Sequence, residues 1–225
     1  MHKKKKKRLL QIQAENTGKE ISRRKYNIFL ALFTLYGFVA NIIEYILFKD
    51  FFLSLNPIIL IVGYLIIGIT GCILAGVSKT FVGAFLGYNM LVLPLGAVLS
   101  NALCSALETS PDAVLYALIG TVIITVVMLV LSILNPNIFL KAGRTIFVIF
   151  VAVLLVEVLL WLICGTHMVL FSYIMVAIFG FFIAYDFALA NKVRPTMRNA
   201  IVFALNLYLD IINIFIDLLD VFSDN

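Results

Sequence analysis

Seven apolar runs of about 20 residues recur along this chain, and each is long enough to cross the hydrocarbon of a bilayer as a helix. They lie at about Tyr26–Phe48, Pro57–Val77, Thr80–Leu103, Ala113–Leu134, Ile146–Cys164, Met168–Val193 and Asn199–Phe222. With 63% of its 225 residues hydrophobic and 13% charged, the chain has more apolar surface than a soluble domain can bury, so it reads as an integral membrane protein. The expected fold is all-α, with residues 1–25 a basic and disordered tail and residues 26–225 one domain of seven transmembrane helices.

Charge orients the helices. Ten of the 17 Lys and Arg residues precede the first run, in MHKKKKKRLL, at Lys19 and in ISRRKY, and such a bias holds that end in the cytoplasm. Threading seven crossings from there puts Lys79, Lys141, Arg144, Lys192, Arg194 and Arg198 inside and leaves only Lys49 outside. The expectation is a multi-pass protein of the cell membrane, amino terminus cytoplasmic and carboxyl terminus outside. The lysine run has no interleaved aromatics and no fold beside it that reads bases, so a nucleic-acid partner is not expected. Orienting the chain accounts for it, and anionic lipid is the partner its charge would attract.

Machinery of soluble enzymes is missing. The chain has no Gly-rich phosphate loop, no zincin pairing of His and acid, no nucleophile elbow, and two histidines, His2 and His167, the latter in a short outer turn. Neither an enzyme nor a resident cofactor is expected. Cys72, Cys104 and Cys164 have no metal-ligand spacing and read as small packing residues, with a Cys104–Cys164 disulfide the alternative. No cleavable signal peptide precedes the first run, which reads as a signal anchor.

Along the runs, Gly63, Gly68, Gly71 and Gly76 would let a neighbour approach helix 2, and Pro94 predicts a kink in helix 3. Ser105 to Asp112 reads as an outer turn, and Asn135-Pro136-Asn137 as the start of an inner connection. Glu44 in helix 1 and Glu157 in helix 5 are buried acids for which no intramembrane Lys or Arg is expected. Either lines an ion pathway or packs as a protonated, hydrogen-bonded carboxyl.

The last run is different in kind. Asn206, Asp210, Asn213, Asp217, Asp220 and Asp224 follow at spacings of four, three, four, three and four, one face of a helix, within LNLYLDIINIFIDLLDVF. A charged Asp at the centre of a bilayer helix costs about 2.5–3.5 kcal/mol, so such residues face a bundle interior, a partner or a water-filled cavity. The expectation is an ion or proton pathway that includes Asn206, Asn213 and Asp217. An amphipathic helix lying on the membrane is the plain alternative, but its polar face would lack the usual Lys and Arg.

Two intramembrane aspartates also describe aspartyl proteases of the bilayer. Tyr185-Asp186 matches their first element, but Tyr208-Leu209-Asp210 lacks the glycine of the second and the Pro-Ala-Leu turn is absent. The segments FFIAYDFALANKV and ALNLYLDIINIFIDLLDVF, in contrast, resemble the Bax inhibitor-1 family, also called the transmembrane Bax-inhibitor-motif family, over residues 181–222. The resemblance, to bacterial members above all, implies helix 7 at the centre of the other six. It also implies that Asp186 and Asp210 form a pH-sensing pair that gates a calcium leak across a bacterial inner membrane. Relatives often carry an acid within helix 2 and a basic cluster at its inner end, whereas here helix 2 has no internal charge and only Lys79 follows.

The pair can also be argued from physics. For Asp186 and Asp210 to lie level in an antiparallel hairpin the turn must be centred near residue 198; Pro195 supports that by ending helix 6, and each Asp is then expected about 10–15 Å from the cytoplasmic end. Two carboxyls in contact away from water cannot both ionise cheaply, so they share a proton. Its loss leaves charges that repel or recruit a cation. Calcium suits Asp186 and Asp210 as ligands, with amide oxygens from Asn206 and Asn213. Calcium ions and protons are therefore the expected small partners. The alternatives are a non-transporting regulator of other membrane proteins, such as a membrane protease, and a proton-coupled transporter of a small solute.

Overall fold

The computed structural model describes residues 18–165 and 168–223, the Cys164 side chain excepted. Most of the basic tail, His167, Asp224 and the partner of the alternative Cys104–Cys164 disulfide lie outside the described residues. The chain forms seven helices: α1 (Arg23–Ser54), α2 (Pro57–Val77), α3 (Phe81–Thr109), α4 (Pro111–Leu134), α5 (Pro136–Cys164), α6 (Val169–Ala190) and α7 (Met197–Ser223). All seven are long and apolar enough to cross a membrane. No strand occurs among the described residues, so the all-α multi-pass expectation holds.

The boundaries follow local chemistry. Ser22 caps α1 by accepting from the Lys25 N–H, and the Asn56 Oδ1 caps α2 by accepting from Ile58 and Ile59 at 2.9 and 3.4 Å. α3 and α4 are joined by Ser110 alone, and α4 and α5 by Asn135 alone. Both the expected Ser105–Asp112 turn and the inner connection after Asn135 thus shrink to one residue. The reason is that Pro111 and Pro136 sit in the first helical turn, where the missing N–H has no partner to lose and the fixed φ favours the helix. In consequence α5 starts ten residues before the expected Ile146 and takes Lys141, Gly143 and Arg144 into a helix. Gly165, at φ 67°, ends it in the left-handed region.

The helices form two compact units, residues up to Ala102 with Ala190–Leu205, and Leu103–Leu189 with Asn206–Asn225. In the first unit α2 and α3 meet backbone to backbone. A Cβ on Gly71 would lie 2.6 Å from the Gly87 carbonyl oxygen and 2.8 Å from Met90 Cβ. Gly63 and Gly76, expected to serve the same purpose, have nothing within 4 Å of such an atom. Against α1, the Tyr88 hydroxyl donates to the Phe33 carbonyl (2.6 Å) and Asn41 Nδ2 to the Val92 carbonyl (3.0 Å). α3 runs through Pro94, which has no N–H to return to the Met90 carbonyl.

In the second unit Ser132 Oγ donates to the Ala184 carbonyl (2.6 Å), tying α4 to α6. Phe150 of α5 packs edge-on against Phe179 and Phe182 of α6. α7 buries the most of its apolar window, 61%, against none for α5, whose outward Leu, Ile and Val suit lipid.

Candidate functional site

α6 and α7 bring Asp186 and Asp210 into contact. The side chains of Asp186, Asp210 and Asn206, the last one turn before Asp210 on α7, lie close together at the wall of one cavity. Asp210 is 6% exposed, which removes the reading of α7 as a surface helix with its polar stripe in water. One Asp210 oxygen, Oδ2, is fully buried and has no hydrogen-bond partner among the described residues.

The pair opens onto a cavity of about 460 Å³ within the second unit. Its walls are Gly143, Arg144 and Phe147 of α5, Phe182, Tyr185 and Asp186 of α6, and Asn206, Leu209 and Asp210 of α7. Phe147 and Phe182 supply apolar wall; Arg144, the carboxyls and the Asn206 amide supply polar handles. Gly143 makes the arrangement possible, because any Cβ there would overlap the Tyr185 ring. The α5 backbone therefore lies against α6, and Arg144 follows at the cavity wall.

Arg144 lies within α5 and not, as expected, in an inner connection before Ile146. The available signal was Pro136, whose place in a first helical turn extends α5 back through Lys141 and Arg144. Tyr185 is also a wall residue.

The remaining candidates fall elsewhere. Asp217, two turns beyond Asp210, interacts electrostatically with Glu157 of α5 and Asp220, and its own Oδ2 is buried without a hydrogen-bond partner among the described residues. Asp220 in turn accepts from Ser172 Oγ at 2.6 Å. Asn213 is half-buried and, like Glu157, is not among the cavity walls. Glu44 belongs to the first unit, where its Oε2 accepts from Asn41 Nδ2 at 3.1 Å beside Gly96. No group of three or more His, Cys, Asp or Glu residues suited to a metal occurs among the described residues. A cation at the pair would thus meet two carboxyls and an amide, a set that leaves most of its shell to water and so suits passage better than storage.

The hairpin is less symmetric than expected. α6 ends at Ala190, so Asp186 is only about 6 Å from its end, while Asp210 is about 20 Å into α7, at 1.5 Å per residue. Asn191–Thr196 makes up the difference: it turns and then runs extended through Arg194, Pro195 and Thr196, because the residue before a proline is pushed out of helical geometry.

Residues 19–225 match the model of the family described as Inhibitor of apoptosis-promoting Bax1. Among curated proteins, none matches the chain.

Proposed function

The chain belongs to the Bax inhibitor-1 family, and from that premise we propose that it is a pH-sensitive calcium-leak channel of the cell membrane whose gate is the Asp186–Asp210 pair. The observation that carries this reading is the carboxyl-to-carboxyl contact at the wall of a cavity, with a buried oxygen left over. With one proton shared, the pair has one net negative charge and joins α6 to α7. Without it, two carboxylates face each other where water is scarce, and they either separate the helices or take up a divalent cation. Calcium is the cargo such oxygens accept, being a hard ion tolerant of irregular coordination. Asn206 would add an amide oxygen, and Asp217 with Glu157 would extend the path along α7.

A proton-coupled transporter of a small solute is the second reading, favoured by Arg144. A guanidinium beside a proton-exchanging pair offers a seat for an anionic group that a cation path has no need of.

The test is calcium flux into proteoliposomes as pH is varied, for the natural protein, Asp186→Asn and Asp210→Asn. Flux in the natural protein whose pH dependence is flattened by either substitution is the expected result. Absence of flux above empty vesicles at every pH would sink the channel reading and put a non-transporting regulator of other membrane proteins first.

A further inference from the structure

The α6–α7 connector does not hold itself together. Among its carbonyls, that of Arg194 is taken by Asn199 Nδ2 (2.9 Å), a bond within the hairpin. Those of Val193 and Pro195, and the Ala190 carbonyl at the end of α6, are taken from outside it, by Ile21 and by Arg23, the first residue of α1. Arg23 Nη1 donates to the Ala190 carbonyl (3.1 Å), Arg23 Nη2 to the Val193 carbonyl (2.8 Å), and the Ile21 N–H to the Pro195 carbonyl (2.9 Å). Glu20 pairs with Thr196 as an antiparallel bridge and accepts from Arg194 Nε at 2.6 Å. Gly18 packs against the Thr196 side chain, where a Cβ would come within 3.2 Å.

The guanidinium of Arg23 is itself seated. It lies over the ring of Tyr26, 5.1 Å from the centroid, and Tyr26 is fully buried. Its position over a fixed aromatic face leaves both terminal nitrogens aimed at carbonyls, an arrangement a lysine cannot reproduce. One of the two carbonyls it takes, that of Ala190, is among those a helix end leaves over, at the negative end of the α6 dipole, where a cation is most effective.

We propose that Arg23 is a positioning residue for the aspartate pair, and that Gly18–Arg23 is a strap that fixes the length of the α6–α7 connector. Asp186 lies one turn before Ala190 on the same helix, so the Arg23 bonds set where the end of α6, and with it Asp186, stands against Asp210. The extended stretch Arg194–Thr196 has no helical ladder to define its length. Bonds from outside the stretch do so, and among the described residues the strap supplies those to the Ala190, Val193 and Pro195 carbonyls. Where calcium is the readout, the inference rests on the leak reading of the pair; where backbone protection is the readout, it does not.

The test uses the full chain in liposomes, comparing the natural protein with Arg23→Ala, Arg23→Lys and Arg24→Ala. Arg24 has the same charge one residue on and donates no hydrogen bond to the connector among the described residues, so it controls for charge. Amide hydrogen exchange is followed along α6 and the connector, with and without calcium. Arg23→Ala is expected to speed exchange from Tyr185 to Thr196 by about tenfold, the effect of losing hydrogen bonds from a charged donor. It is also expected to change the calcium concentration that half-protects those amides by about threefold or more. Arg23→Lys, which keeps one of the two carbonyls and the fold, falls between; Arg24→Ala matches the natural protein. A purely structural role would lower the yield of folded protein and leave the half-protecting concentration unchanged, which overturns the proposal, as does unchanged exchange around Asp186 in both Arg23 variants. If the natural protein shows neither flux nor protection by calcium, yet Arg23→Ala still speeds exchange at Asp186, the strap stands and the leak reading falls.

Discussion

Glycine 143 has no side chain to contribute to the site, yet it decides the site's shape. Any Cβ there meets the Tyr185 ring, so a larger residue must push α5 off α6 and take Arg144 and Phe147 out of the cavity wall. Gly143→Leu is expected to destabilise the protein by about 1–3 kcal/mol, read as a lowered midpoint of thermal unfolding in detergent. Gly63→Leu, where nothing lies within 4 Å of the new atom, is the control and is expected to be silent. From sequence neither glycine declares its role, Gly63 set in an apolar run and Gly143 between Lys141 and Arg144 ahead of one, because a glycine records that room is needed without saying what needs it. The aspartates were legible for the opposite reason: a carboxyl among Leu and Ile is costly wherever it points, so Asp186 and Asp210 marked themselves. Arg144 did not, since three polar or basic residues near a proline read as a loop until the proline is seen to start the helix.

At the scale of elements, what the sequence left out is how the helix ends are tied. Hydrophobic length located all seven helices, because lipid requires it, but the loops were overestimated wherever a proline opens a helix without a break. A side chain that travels far is the other thing periodicity cannot show. Arg198, in the first turn of α7, donates to the carbonyls of Ala75, Gly76 and Ser78 at 3.1, 2.6 and 2.9 Å, and so covers the carboxyl end of α2. Helix 2 lacks the basic cluster that its relatives often have at that end, and here the positive charge arrives from α7 instead. Arg198 is only 9% exposed, so its removal leaves carbonyls short of donors as well as a helix dipole uncompensated. Arg198→Ala is expected to cost about 1.5–3 kcal/mol and Arg198→Lys less. Unfolding midpoints of the two variants in detergent check this, and equal midpoints for both and for the natural protein would show the contacts to be idle.

For the whole molecule, the uneven charge and the position of the pair together determine which compartment the pair answers to. Sixteen Lys and Arg residues fall on one side of the threading and Lys49 alone on the other, a bias from which the amino terminus and the α6–α7 connector are expected on the cytoplasmic side. Asp186 is one turn from the end of α6, and that end is held by residues next to the amino terminus. On that expected orientation, a proton from the cytoplasmic side would have about 6 Å of helix to pass, and one from the other side most of the bilayer. The flux should therefore follow the pH of the compartment that contains the amino terminus and ignore the pH opposite. Single cysteines at Lys49→Cys and Lys192→Cys, in a background without the natural cysteines, report orientation by labelling with an impermeant reagent, Lys49→Cys from outside and Lys192→Cys from inside. In vesicles of one orientation so established, a pH step on the Lys192 side is expected to change calcium flux and an equal step on the Lys49 side to leave it constant. The reverse would mean that the proton reaches the pair along α7, past Asp217 and Glu157, and that the acids outside the cavity are its route.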